Sequence, residues 1–128
     1  LCDRRQRQMC IRDRLMNLIE ATKDLGYAYH VGRGRSHDSF YTDREDEIDH
    51  YWSGKGILGA DMETAALFII GGLRGVKTAS ILNTVSLYEG NLEEEINNYV
   101  DADNAAAVGE EHEIIAALET IVRIDKKN

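Results

Sequence analysis

Five places in this chain hold residues whose types and spacing could do chemistry. Asp61-Met62-Glu63 sets two carboxylates around a methionine, directly after Gly59-Ala60. Where a strand hands over to a helix, such carboxylates can accept hydrogen bonds from sugar hydroxyls, and a methionine can pack on a furanose ring. The plainer alternative is N-terminal capping by acids, which the helix dipole favours. Asn83-Thr84 closes an apolar run and places polar groups at the end of a predicted strand, or is simply where that strand stops. Phe40-Tyr41 offers an aromatic platform for a flat ligand, or an anchor for its loop. His37-Asp38-Ser39 contains the residue types of a hydrolytic triad, but such triads are built in space, so adjacency argues for a polar loop. Gly32-x-Gly34 hints at phosphate binding but lacks a third glycine and an immediate helix. The four histidines show no i, i+4 pair on a helix and hence no metal spacing. His112 is expected on a polar, solvated helix face.

These residues need elements to position them. Leu15–Leu25 has apolar residues at helical spacing, and Gly26 is a natural stop. Tyr27–Val31 is aromatic and β-branched and reads as a strand. Gly32–Asp43 reads as a loop, and Arg44–Trp52 as a short helix with acids in its first turn. Ile57–Asp61 reads as a short strand. Met62–Leu73 reads as a helix, apolar enough to be buried on most sides and closed by Gly75. Val76–Val85 reads as a buried central strand. Residues 92–99 are expected to form a short helical turn, and Asn104–Ile124 a long terminal helix. This alternation predicts an α/β layered fold with a mostly parallel sheet. Three strands make a thin sheet, so a partial domain is expected.

With 128 residues, 43% hydrophobic and 30% charged, the chain suits one ordinary domain and excludes disorder, collagen and a disulfide scaffold. The longest apolar stretch, Ala65–Ile70, is too short to span a bilayer, and no apolar segment follows the arginine-rich start as a signal peptide would require. A soluble, cytoplasmic protein without a membrane partner is expected. Of the net charge of −8, residues 1–14 contribute five arginines against two aspartates, leaving −11 for the remainder. So acidic a body argues against nucleic acid as partner. Both cysteines, Cys2 and Cys10, lie in that basic segment, and two alone cannot make a structural zinc site. Residues 1–14 begin with Leu1 and share no period with the helix expected from Leu15 onward. They are read as a non-native or disordered tail, and residues 15–128 as the structured portion.

Three ordered stretches resemble the nucleoside phosphorylase family that includes uridine phosphorylase and hexameric purine nucleoside phosphorylase. They are Ser36-His37-Asp38-Ser39-Phe40-Tyr41, then Gly56–Ala66 with Asp61-Met62-Glu63 at its centre, then Ser80-Ile81-Leu82-Asn83. The resemblance covers the C-terminal half of a family member and implies an α/β/α layered fold with a mostly parallel mixed sheet. It further implies phosphorolysis of a nucleoside to free base and ribose 1-phosphate, with inorganic phosphate as co-substrate, no cofactor and no metal. Members of the family assemble as homo-oligomers, hexamers built from dimers. Carried over, Glu63 accepts from the ribose hydroxyls, Met62 packs on the sugar, and Asp61 stands where the family has a glutamate. Phe40 lies against the base, with Arg44, Asn83 and Thr84 as further base contacts. No phosphate-binding residue falls in this chain, so it is expected to be an incomplete form.

The base is read from departures. Uridine phosphorylases show F-Y-x-x-Q-x-R, whereas this chain has Arg44 and Asp46 at the last two marked positions. Purine-specific members and nucleosidases carry a Ser-Asp pair after the strand, whose aspartate serves purine N7. Here Val85-Ser86-Leu87-Tyr88 has no aspartate. Loss of an acid weighs more than altered contacts, so uridine is the expected substrate. The alternatives are a purine nucleoside phosphorylase, a purine nucleosidase, and a non-catalytic nucleoside-binding module.

Overall fold

The computed structural model describes residues 4–87 and 105–126, with backbone alone for 4–11. The expected turn at 92–99 lies outside the described residues. Six elements occur in the order α1 (Arg4–Asp24), β1 (Arg33–Ser36), α2 (Glu45–Ser53), β2 (Ile57–Asp61), α3 (Thr64–Arg74) and α4 (Ala105–Lys126). The class is α/β, with β1 and β2 forming a two-stranded parallel sheet.

The first and last helices pack together through small side chains. Leu18, Ala21 and Thr22 share a face of α1 by their i, i+3, i+4 spacing. Ala116 and Thr120 do the same on α4, and Ala21 and Ala116 have no exposed surface. The buried threonines are satisfied within their own helices: Thr22 Oγ1 donates to the Leu18 carbonyl at 2.8 Å, and Thr120 Oγ1 to that of Ala116 at 2.7 Å. Burial therefore leaves neither hydroxyl unpartnered. Arg123 reaches across to Asp24 at 2.8 Å and along its own helix to Glu119 at 2.9 Å. Solvent screens such exposed pairs, so they add little to stability.

The second unit is β1, α2, β2 and α3. Arg35 ties β1 to α2 through Asp49 at 3.3 Å. Gly75 ends α3 at φ 66°, and its amide and that of Val76 return to the Gly72 and Gly71 carbonyls. This is the left-handed helix stop that glycine makes without strain. Just before it, a Cβ on the buried Gly71 would run into the Thr78 methyl, so the chain folds back closely along α3.

The structure differs from several expectations. Tyr27–Val31 and Val76–Val85 are not strands. Among the described residues neither finds a neighbour to pair with, and a strand exists only as a ladder. Instead β1 forms within the predicted loop, in a polar segment of weak strand propensity. Pairing with β2 imposes the extended form there. The apolar α3 is not buried: Ile69 is 64% and Leu73 81% exposed. Residues 4–14, expected to stand apart as a tail, are helical and continuous with the rest of α1. Helix continuation needs only backbone hydrogen bonds and no apolar period. No helix among the described residues is long and apolar enough to cross a membrane.

Candidate functional site

The two parallel strands end side by side. Ser36 stands opposite Asp61, and the His37 amide donates to the Asp61 carbonyl at 2.9 Å. Both chains therefore leave the sheet at its carboxyl edge, the side on which open α/β sheets bind ligands. From this edge come the loop after β1, with Phe40-Tyr41, and the β2–α3 junction, with Asp61-Met62-Glu63.

At that junction the two carboxylates have different work. Asp61 Oδ2 accepts the Thr64 amide at 2.8 Å and so caps α3. Burial disfavours its charge, but hydrogen bonds from Thr64, Ser36 and the Glu63 amide outweigh that and hold its carboxyl below the usual range. Ser36 Oγ accepts the next helical amide, that of Ala65, at 3.1 Å. Thr64 Oγ1 and Ser80 Oγ share a hydrogen bond of 3.0 Å, which brings the chain after α3 to the same point. Glu63 occupies the N-cap position, yet its side chain makes no capping bond. Its exposed carboxylate accepts the adjacent Met62 amide at 3.0 Å. Met62 is exposed beside it. Hydroxyl groups of a ligand approaching the sheet edge would meet this carboxylate and thioether first.

Phe40 and Tyr41 meet edge to face at 5.2 Å and are 51% and 93% exposed, so Tyr41 projects from the loop and Phe40 is half covered. His37 Nδ1 donates to the Ser39 carbonyl at 2.9 Å. The histidine thus shapes the loop backbone and leaves the serine hydroxyl alone, as the adjacency argument requires. Arg44 is held by both Glu47 oxygens at 2.9 Å each, a fork that takes up two of the five N–H donors of its guanidinium.

Asn83 serves the other unit. Its Nδ2 donates to the Ala106 carbonyl at 2.6 Å, and Gly109 leaves room for the amide where a Cβ would collide. Thr84 is exposed. With no strand at 76–85, this pair does not join Asp61, Met62 and Glu63 along a sheet edge. His112, expected in solvent, stacks on Tyr27 at 3.8 Å and 11°, because the turn after α1 brings Tyr27 over α4. Among the described residues no group of three or more His, Cys, Asp or Glu side chains could hold a metal.

The Asn83 segment also meets a titrating group. Burial pushes Glu113 up from its ordinary value, with Glu110 adding repulsion, although the Asn83 backbone amide donates to it. A carboxylate raised by folding takes up protons more readily when folded, so stability falls as pH rises through the interval above its ordinary pKa. Glu113→Gln, which keeps the acceptor without the charge, should raise the melting temperature at pH 7. The gain should vanish near pH 4, where wild type is itself protonated. A gain independent of pH would contradict this.

Ser36, Thr64 and Ser80 all lie within the three resembling stretches, yet residue type alone gave them no role. Only their convergence on α3 does so.

Fold and site together define an α/β chain with a carboxylate and a thioether exposed where its parallel strands end. Comparison is more specific. The family model described as phosphorylase superfamily matches residues 5–121, and the chain belongs to that superfamily. It is 40% identical over 74 residues to a purine nucleoside phosphorylase DeoD-type of Clostridium novyi (strain NT), covering 58% of this chain and 31% of that protein. It is equally identical, 40% over 72 residues, to the Bacillus subtilis (strain 168) protein of the same name, covering 56% of this chain and 30% of that one. A guanosine phosphorylase of Halorubrum lacusprofundi is 30% identical over 80 residues, or 62% of this chain and 31% of that protein. The chain thus spans under a third of the length of these relatives. No solved structure matches it.

Proposed function

We propose that the chain carries the sugar and base side of a purine nucleoside phosphorolysis site, acting in the cytoplasm without a cofactor. The observation that carries this is the Glu63 carboxylate, exposed with Met62 at the carboxyl edge of parallel strands while Asp61 caps the helix. A phosphate oxygen attacks C1′ of the ribose. The N-glycosidic bond breaks, and its electron pair leaves with the base, which takes up a proton. Glu63 accepts hydrogen bonds from the ribose hydroxyls and so fixes the sugar in place for the attack. Met62 packs on the ring, and Phe40 lies against the base.

The purine reading replaces the expected uridine. The relatives compared are named for purine nucleosides and guanosine. Arg44, a candidate donor to a uracil carbonyl, has two of its N–H groups turned to Glu47. The absent Ser-Asp pair concerns a single side chain and weighs less than identity over some 70 residues. Phosphate contacts and a homo-oligomer of hexameric type, with a neighbouring copy completing the site, belong to the same proposal. The exposed apolar side chains of α3 support such an assembly.

The test is base release from inosine, guanosine and uridine, each with and without phosphate, by this chain joined to the phosphate-binding half of the family. Phosphate-dependent release of hypoxanthine and guanine is expected. Uracil release at a comparable rate would restore uridine, and release without phosphate would mean hydrolysis.

A further inference from the structure

The β2–α3 junction poses a question of hydrogen-bond supply. A helix start has orphan amides, and the residue at the N-cap position ordinarily satisfies one of them with its own side chain. Glu63 sits at that position and makes no such bond. The first two helical amides are taken from outside instead, Thr64 by Asp61 and Ala65 by Ser36. The Ser36 hydroxyl also stands across the ladder from Asp61, where it favours that carboxylate's charged form. Ser36 therefore bridges the two capping interactions from the neighbouring strand, while Ser80 holds Thr64 from the chain after α3.

We propose that Ser36 is a positioning residue for ribose binding: by capping α3 at Ala65 and holding Asp61, it relieves Glu63 of capping and leaves that carboxylate for the sugar hydroxyls. This rests on the reading of Glu63 as the ribose ligand. Without the Ser36 hydroxyl, the Ala65 amide lacks its partner, and with Asp61 Oδ2 already held by the Thr64 amide, the carboxylate at the N-cap position, that of Glu63, can turn back onto it. Capping and ribose binding then compete for the same oxygens. The contacts to ribose exist before and during bond breaking, so their weakening raises KM more than it lowers kcat.

The experiment compares Ser36→Ala, Ser36→Thr and the double variant Ser36→Ala/Glu63→Gln with wild type and Glu63→Gln. Amide exchange at Ala65 in the ligand-free protein is measured alongside nucleoside kinetics. Ser36→Ala is expected to speed exchange at Ala65 and to raise the nucleoside KM about 10-fold, with kcat changed less than about twofold. The KM for phosphate should not move. Ser36→Thr, which keeps the hydroxyl, should restore KM. In the Glu63→Gln background, Ser36→Ala should add almost nothing, because its effect passes through Glu63. An equal rise in KM in both backgrounds, failure of threonine to rescue, or unchanged exchange at Ala65 would each overturn the proposal. If wild type releases no purine base, the reading of the site as a phosphorolysis site fails, and the positioning role fails with it. Faster Ala65 exchange in Ser36→Ala would then mark Ser36 as a helix cap alone.

Discussion

Glutamine at position 63 is expected to lower kcat/KM for purine nucleosides roughly 10- to 150-fold, with little change in stability. The magnitude comes from losing charge-assisted hydrogen bonds to the sugar, worth about 1.5–3 kcal/mol. Stability should hold because the Glu63 carboxylate is exposed and the first amides of α3 are secured by Asp61 and Ser36. Exposed substitutions of this kind usually stay within about 0.5 kcal/mol. Steady-state kinetics with inosine, together with a thermal melt, separates the two effects. A variant that melts early and retains its kcat/KM would show that Glu63 supports the fold and not the substrate.

The largest expected effect on stability lies at the other end of the molecule. Ala116 is fully buried in the face that α4 turns toward α1, where Ala21 is equally buried. The spacing of the two helices depends on these small side chains. Leucine at position 116 adds three carbons where interiors have no spare volume. It should destabilise the chain by about 1–3 kcal/mol, seen as an earlier midpoint in urea with an unchanged slope. An unchanged midpoint would mean that α1 and α4 do not pack face to face in solution. Around the exposed Leu118 a larger side chain has no such consequence, since α4 carries its outward apolar residues there without a partner among the described residues.

Local pattern and tertiary context divide this chain unevenly. Helices α2, α3 and α4 and strand β2 are legible in the sequence because each has a strong local signal. The first turn of α2 is acidic, Gly75 stops α3, α4 repeats its apolar residues at helical spacing, and Ile57–Asp61 is short and preceded by Gly56. Their ends fall within two residues of expectation, and those of β2 coincide. Tyr27–Val31 and Val76–Val85 have higher strand propensity than β1, yet they are not strands and Arg33–Ser36 is. The difference is a neighbour: Arg33–Ser36 lies beside β2, and the others lie beside no strand among the described residues. His112 departs from expectation for a related reason. Helical spacing says which face a residue occupies, but not that Tyr27 arrives over that face from 85 positions away.

The sequence by itself determined the superfamily and the residue types at the site, because Asp61-Met62-Glu63 and its flanking stretches are contiguous and their order survives in one dimension. It did not determine which carboxylate does which work. Asp61 and Glu63 are equivalent as acids two residues apart. The tertiary structure separates them: the Ser36 hydroxyl, from a different strand, and the start of α3 converge on Asp61, while Glu63 faces outward. Hydrogen bonds between segments 25 or more residues apart have no signature in local composition. They come into being only when the parallel pairing of β1 and β2 sets Ser36 beside Asp61.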